Sequence, residues 1–371
     1  MRQRWVGQTA AVVIQRLWVE RYRSLVELRL DLHPVTVIQG ENATGKTNVY
    51  RALQLLSRAA AGELAHSLLE EGGMPSALSA QTLPPRGRKP GPVRLRLGAA
   101  IDDISYELAL GLPSVDPMTT PFSLDAEIKE ELAWFGPKRT RHTELLDRSG
   151  ATSSARDTDG DNVTFAVVLD RFEAALSQLG EPARFPELFD LRERLRGWRF
   201  YHQIPTGSDA PARHPRTGVR TPVMANDGRD LAAALATITD MGNGPILDRA
   251  IDDAFPGSSL VIDAERGTFA VRLSMPGLLR PMAGHELSDG TLRYLALTAA
   301  LLSPRPPELL VLNEPETSLH PSLIEPLARL ITMAAADSQI IVTTHSATLA
   351  ELVCRATGHP PIELQRLDGA T

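Results

Sequence analysis

An α/β fold built on a mixed sheet is what this sequence predicts, on three observations. Val35-Thr36-Val37-Ile38, the glycine-bearing segment Gly40–Thr47, and the apolar residues Val49, Leu53 and Leu56 at spacings of four and three read as strand, turn and helix. The runs Leu309–Leu312 and Ile340–Val342, set among helical patterns, read as parallel strands buried on both faces. Between these ends, alternation of apolar and polar residues marks antiparallel strands.

The chain has 371 residues, 43% of them apolar and 23% charged, which suits one large α/β domain or a head carrying an insertion and excludes a disordered protein. Its single cysteine, Cys354, excludes an internal disulfide or a thiolate metal cluster; with no basic start leading into an apolar run, the expected compartment is the cytoplasm. No apolar run approaches the roughly 20 residues that span a bilayer. The best one, Leu295–Leu302, is broken by Thr298 and closed by Ser303 and Pro304, so no membrane partner is expected. With 39 Lys and Arg against 45 Asp and Glu, the net charge of −6 excludes a wholly basic nucleic-acid coat but permits a local basic face.

Taken in order, Val12–Val19 is β-rich and Leu25–Leu32 alternates, predicting two strands of a half-buried sheet. After the first helix, Leu83–Pro92 is a Pro, Gly and basic linker that neither a helix nor a central strand could contain. It opens an insertion assigned to residues 76–224, between an N-terminal part, 1–75, and a C-terminal part, 225–371. Within it, Val93–Leu97 and Ile104–Leu110 alternate around an Asp102-Asp103 hairpin turn, and Phe165–Leu179 and Pro186–Arg196 read as helices. Trp134, Phe135 and Trp198 are expected in the core, and Pro205–Pro222 is loop-like. The regular pattern resumes with a helix at Leu231–Thr239, strands at Leu260–Asp263 and Thr268–Leu273, and an apolar helix at Leu292–Leu302.

The segment Gly40-Glu41-Asn42-Ala43-Thr44-Gly45-Lys46-Thr47 fits G-x-x-x-x-G-K-[ST] between a strand and a helix. Phosphates need this arrangement, because glycines let successive backbone N–H groups point inward and the helix N-terminus adds its positive dipole end. Lys46 supplies a point charge for the β- and γ-phosphates and Thr47 a hydroxyl for Mg²⁺. Three further features are weaker singly. Ser288-Asp289-Gly290 before a helix is an ordinary cap, but it could also offer Ser288 and the Gly290 N–H to a phosphate. Glu314, after the strand 309–313, could orient or deprotonate water, although for an isolated match a solvated Asn-Glu-Pro turn is the better account. His345 closes another strand, where lone histidines are more often structural.

Order and spacing join the four: Lys46 to Ser288 spans 242 residues, Ser288 to Glu314 26, and Glu314 to His345 31. In this set the chain resembles ABC-type ATPases, with a Walker A loop, an L-S-x-G-[TQ] signature, a Walker B strand with its following Glu, a D-loop and a switch His. The long gap before the signature, Arg21-Tyr22-Arg23-Ser24-Leu25, and Glu316-Thr317-Ser318-Leu319-His320-Pro321 are similar to the RecF/SMC/OLD branch, within which predicted RecF-like bacterial ATPases carry L-N-E-P-E-T-S-L-H-P. The likeness covers residues 12–60 and 225–352. It implies an ATPase head of P-loop NTPase fold with an antiparallel β-subdomain and ATP and Mg²⁺ as cofactors. It also implies two copies pairing on ATP, each site joining the Gly40–Thr47 loop of one to Ser288-Asp289-Gly290 of the other. Gly40, Asn42, Ala43, Thr44, Gly45, Lys46, Thr47 and Asn48 would bind nucleotide, Thr47 and Asn313 would address the metal, Glu314 would be the base, and His345 would contact the γ-phosphate.

Two departures stand out. Asn313 occupies the place of the usual Walker B Asp, so the metal loses a charged acceptor and slow turnover is expected. The Q-loop is unmarked, with Gln203, closing the β-like run Trp198–His202, as candidate. Only 26 residues follow His345, too few for the nuclease that OLD proteins attach. Arg86, Arg88 and Lys89, and Lys138, Arg139, Arg141 and His142, form two basic clusters that are either solvated surface or phosphate contacts. DNA, in repair or in defence against foreign DNA, is therefore the first expected partner, and a protein effector regulated without DNA contact the alternative.

Overall fold

The computed structural model describes residues 13–79, 93–113, 120–149, 152–165, 169–366 and 371. In chain order its strands begin with β1 (Ile14–Tyr22), β2 (Leu25–Asp31) and β3 (Val35–Gln39), followed by helices α1 (Lys46–Ala60), α2 (Leu64–Glu70) and α3 (Met74–Ala77). Next come β4 (Leu95–Ile101), β5 (Ile104–Gly111), β6 (Glu127–Phe135), β7 (Glu144–Ser149), β8 (Thr152–Arg156) and β9 (Asn162–Thr164), then α4 (Ala175–Gln178) and α5 (Pro186–Gly197). The remainder is β10 (Arg199–Tyr201), β11 (Arg216–Thr217), α6 (Leu231–Ile238), α7 (Gly244–Ala254), β12 (Ser259–Glu265), β13 (Thr268–Ser274), β14 (Met282–Ala283), α8 (Asp289–Leu301), β15 (Leu309–Asn313), α9 (Ile324–Ala334), β16 (Gln339–Thr344), α10 (Ala347–Thr357) and β17 (Ile362–Glu363).

These elements form two compact units. The described residues among 12–33, 40–198 and 364–371 make one; Pro34–Gln39 with Arg199–Glu363 make the other. The stretch 76–224 is thus divided at Trp198/Arg199, and β4–β9 continue a sheet that begins with β1 and β2.

That sheet is eight-stranded and antiparallel, in the order β2-β1-β4-β5-β6-β7-β8-β9. Along β1 the buried residues Ile14, Leu17, Val19 and Tyr22 face the core. On the other face, Trp18 pairs in register with Gly98, which pairs in turn with Glu107. Gly98 leaves a gap that the indole crosses to donate to the Glu107 carboxylate at 2.8 Å; a Cβ at residue 98 would lie 2.2 Å from the ring. Gly98→Ala is therefore expected to cost about 1–3 kcal/mol by overpacking, read as a lower denaturation midpoint with altered Trp fluorescence. An unchanged midpoint would show that the indole moves freely.

Asp102-Asp103 form the β4–β5 turn, Asp102 with φ 47°. Trp134 and Trp198 are buried, whereas Phe135, expected beside them, is 37% exposed at the end of β6. The helix expected over Phe165–Leu179 is confined, among the described residues, to the single turn α4. A buried ion pair explains this. Arg148, on β7, donates to the carbonyls of Asp170 and Glu173, while Glu131, on β6, accepts the N–H groups of Ala175 and Leu176. Backbone groups that a longer helix would pair internally are thus taken by two side chains of the sheet.

The second unit holds a five-stranded sheet, β10-β15-β16-β3-β17, parallel throughout, and a smaller antiparallel sheet in which β13 pairs with β11, β12 and β14. Every residue of β15 and β16 is buried, as central parallel strands require. The core runs through Leu235 and Ile251 of the helical layer, Tyr294 and Leu295 of α8, Leu327 and Ile331 of α9, and Leu312 and Val342 of the sheet. The register sets Asn313 beside Thr343, so the polar ends of β15 and β16 fall side by side. Among the described residues no helix is long and apolar enough to cross a membrane.

Candidate nucleotide site

In the antiparallel-sheet unit, the Gly40–Thr47 loop is a tight structure whose glycines are required. Gly45, the N-cap of α1, has φ 93°, and a Cβ there would lie 2.8 Å from Ser24 Oγ; at Gly40 it would lie 2.5 Å from Thr44 Oγ1. Ala43 is also left-handed, at φ 66°. Thr44 Oγ1 donates to the Glu41 carbonyl, and Asn48 Nδ2 donates to Ser24 Oγ at 3.0 Å. Thr371 N–H donates to the Ser24 carbonyl and its hydroxyl to the Thr44 carbonyl, both at 2.9 Å. Lys46, only 3% exposed, donates from Nζ to the carbonyls of Gly40 at 2.7 Å and Glu41 at 2.6 Å. Thr47 is half-buried in the first turn, and Asn42 is exposed. The head of α1 has no side-chain cap and no acidic residue in its first turn. Its leading N–H groups and the lysine suit a phosphate, the group the motif predicts.

In the parallel-sheet unit, the end of β15 gathers a second cluster. Asn313 is fully buried; its Nδ2 donates to His202 Nδ1 at 2.6 Å, and its Oδ1 accepts the Thr343 hydroxyl at 2.5 Å. Glu314 follows with φ 49°, a conformation that costs a non-glycine residue about 1–3 kcal/mol. Its backbone is pinned on both sides, the N–H to the Thr343 carbonyl at 2.8 Å and the carbonyl by Arg293 at 3.0 Å. Arg293 also donates to the carbonyls of His202 and Pro315. Burial lowers its pKa, opposed by the charges of Glu316 and Glu314.

Glu316 organises the turn between β16 and α10. Its Oε1 accepts the Thr344 hydroxyl and the N–H groups of His345 and Ser346, while its buried Oε2 has no hydrogen-bond partner among the described residues. The His345 ring stands half exposed between two carboxylates, Nδ1 3.3 Å from Glu316 Oε1 and 4.0 Å from Glu314 Oε1. Asn313, Glu314 and His345 are thus brought together. Ser288 caps α8, its Oγ accepting the Thr291 N–H at 3.1 Å. At Gly290 a Cβ would come 2.7 Å from the carbonyl of Ser318, itself at φ 66°. Close backbone approach therefore joins the head of α8 to the segment after Glu316.

Gln203 is exposed beyond the end of β10; its neighbour His202, which the sequence reading passed over, makes the contact with Asn313. Arg293 was missed as well, and Glu316 was named in the D-loop-like segment without a role. A lone arginine in the apolar run 292–302 was the available signal for the first, since a buried guanidinium needs polar partners.

A family model described as "AAA domain, putative AbiEii toxin, Type IV TA system" matches residues 35–351. No curated protein matches the chain. Among solved structures, an Smc head bound to the C-winged helix domain of ScpA is 13% identical over 92% of both chains, with a TM-score of 0.50. An SMC head domain from Thermotoga maritima is 15% identical over 97% of both, with a TM-score of 0.42. The former likeness is one of fold.

Proposed function

The chain belongs to the AAA family whose model spans residues 35–351, and from that premise we propose that it is an ATPase of the RecF/SMC/OLD-like branch of ABC-type ATPases, whose heads pair on ATP. The observation that carries this reading is the uncapped head of α1, with Lys46 turned back over its own loop. The loop amides and Lys46 take the phosphates, and Thr47 and Asn313 would hold Mg²⁺. The metal, when bound, supplies charge neutralisation at the phosphates. An amide oxygen has two lone pairs, and Thr343 uses one of those on Asn313. What remains is a single neutral acceptor, consistent with weak Mg²⁺ loading and slow hydrolysis. Glu314 takes the proton of the attacking water, His345 contacts the γ-phosphate, and Ser288 and Gly290 address the nucleotide of a second copy. Gln203 stays the Q-loop candidate for the nucleotide.

DNA, in repair or defence, is the first partner. A protein effector is favoured by one observation: Arg139 of the second basic cluster is bound by Glu144 and Asp147. Arg86, Arg88 and Lys89 lie outside the described residues. Steeply salt-dependent binding to duplex DNA would support the first partner, and its absence the second.

Lys46→Ala tests the loop. Nucleotide affinity, followed with a fluorescent ATP analogue, should fall at least about 100-fold. The circular dichroism spectrum should be retained. Unchanged affinity in a folded variant would remove the loop from the site.

A further inference from the structure

The signature helix carries a charge that its proposed ligand would not tolerate. Asp289 is the first residue of α8, and its side chain is 58% exposed. A carboxylate there favours the helix, but it repels any phosphate brought to Ser288 Oγ and the Gly290 N–H.

The loop 205–222, to which the sequence assigned no role, supplies a counter-charge. Arg213 is 8% exposed. Its Nε donates to the carbonyls of Thr206 at 2.7 Å and Gly207 at 3.0 Å, and its Nη1 to those of Gly284 at 3.2 Å and Leu287 at 2.6 Å. Its Nη2 pairs with Asp289. The carbonyls are neutral and fix the guanidinium plane, so the buried positive charge is directed at one carboxylate, adjacent to the signature serine. The backbone fit is close: a Cβ at Gly284 would lie 2.8 Å from the Arg213 carbonyl.

We propose that Arg213 is a positioning residue that neutralises Asp289, making an acidic signature compatible with the phosphate of a nucleotide held by a second copy of the chain. This rests on the reading of Ser288 and Gly290 given above.

A charge cycle in the full-length Glu314→Gln protein tests it, with ATP-dependent self-association measured by light scattering. Arg213→Gln should weaken association by about tenfold or more. Asp289→Asn should associate at least as tightly as the parent, and the double variant should return to within about threefold of Asp289→Asn. Nucleotide affinity of the monomers should be equal throughout, since the Gly40–Thr47 loop is untouched. A double variant as weak as Arg213→Gln would overturn the proposal, because loss of the carbonyl contacts alone would then explain the defect. Association of Arg213→Gln equal to the parent would overturn it too. Should Arg213→Gln fail to fold, Asp289→Asn carries the test, and loss of association there overturns the proposal. A parent that does not associate at all overturns the reading of Ser288 and Gly290, and the proposal with it.

Discussion

Glu314→Gln is expected to bind ATP as the parent does and to lose turnover by about 10²–10⁴-fold, the usual contribution of a positioned general base. The substitution keeps the shape of the side chain and the two backbone contacts that hold residue 314 at φ 49°, the N–H to Thr343 and the carbonyl to Arg293. What it removes is the capacity to accept a proton. Because the proposed binding relies on a different set of groups, Lys46 and the head of α1, affinity and turnover should separate cleanly, and the ATP-bound pair of copies should accumulate. Phosphate release and light scattering measure the two. Hydrolysis at the parent rate would exclude Glu314 as base.

Arg148→Ala is expected to destabilise the antiparallel-sheet unit by about 3–5 kcal/mol, the cost of leaving one partner of a buried ion pair alone. Arg148 and Glu131 have side chains 2% and 0% exposed, 3.6 Å apart. Burial pushes the Glu131 carboxyl above its ordinary value, while the Ala175 amide, the Arg148 charge, the Leu176 amide and the Tyr106 hydroxyl pull it back. Without Arg148 that carboxyl rises further, so the folded variant holds a proton over a pH range in which the unfolded chain has lost it. Stability of the variant then falls as pH rises above the ordinary carboxylate value, and the loss should be larger at pH 8 than at pH 5. Urea denaturation at the two values checks both magnitude and sign. A loss below about 1 kcal/mol would mean that water reaches the site and solvates the carboxylate.

The elements visible in the sequence were those whose signal is local. The β-rich run of β1, the alternation in β2, the apolar runs of β15 and β16, and the glycines and lysine of the loop each require only their own neighbours to be recognised, because composition, periodicity and positive φ are properties of a short stretch of chain. The exception within this class is instructive. Phe165–Leu179 has helical spacing, yet only Ala175–Gln178 is helical among the described residues, since Arg148 and Glu131 claim its backbone groups from the sheet.

The candidate site divides along the same line. Lys46, Ser288, Glu314 and His345 could be named from motif and order. The sequence could not show that Asn313 meets His202 111 residues away, that Arg293 ties the carbonyls of His202 and Glu314 together, or that Arg213 reaches across 76 residues to Asp289. Sequence by itself determined the residue types and most of the local conformations, and it pointed to phosphate as the ligand proposed for a glycine-bearing loop with a lysine. Tertiary structure alone decided which polar groups satisfy one another, because a buried hydrogen bond depends on the distance between atoms and not on the number of residues between them.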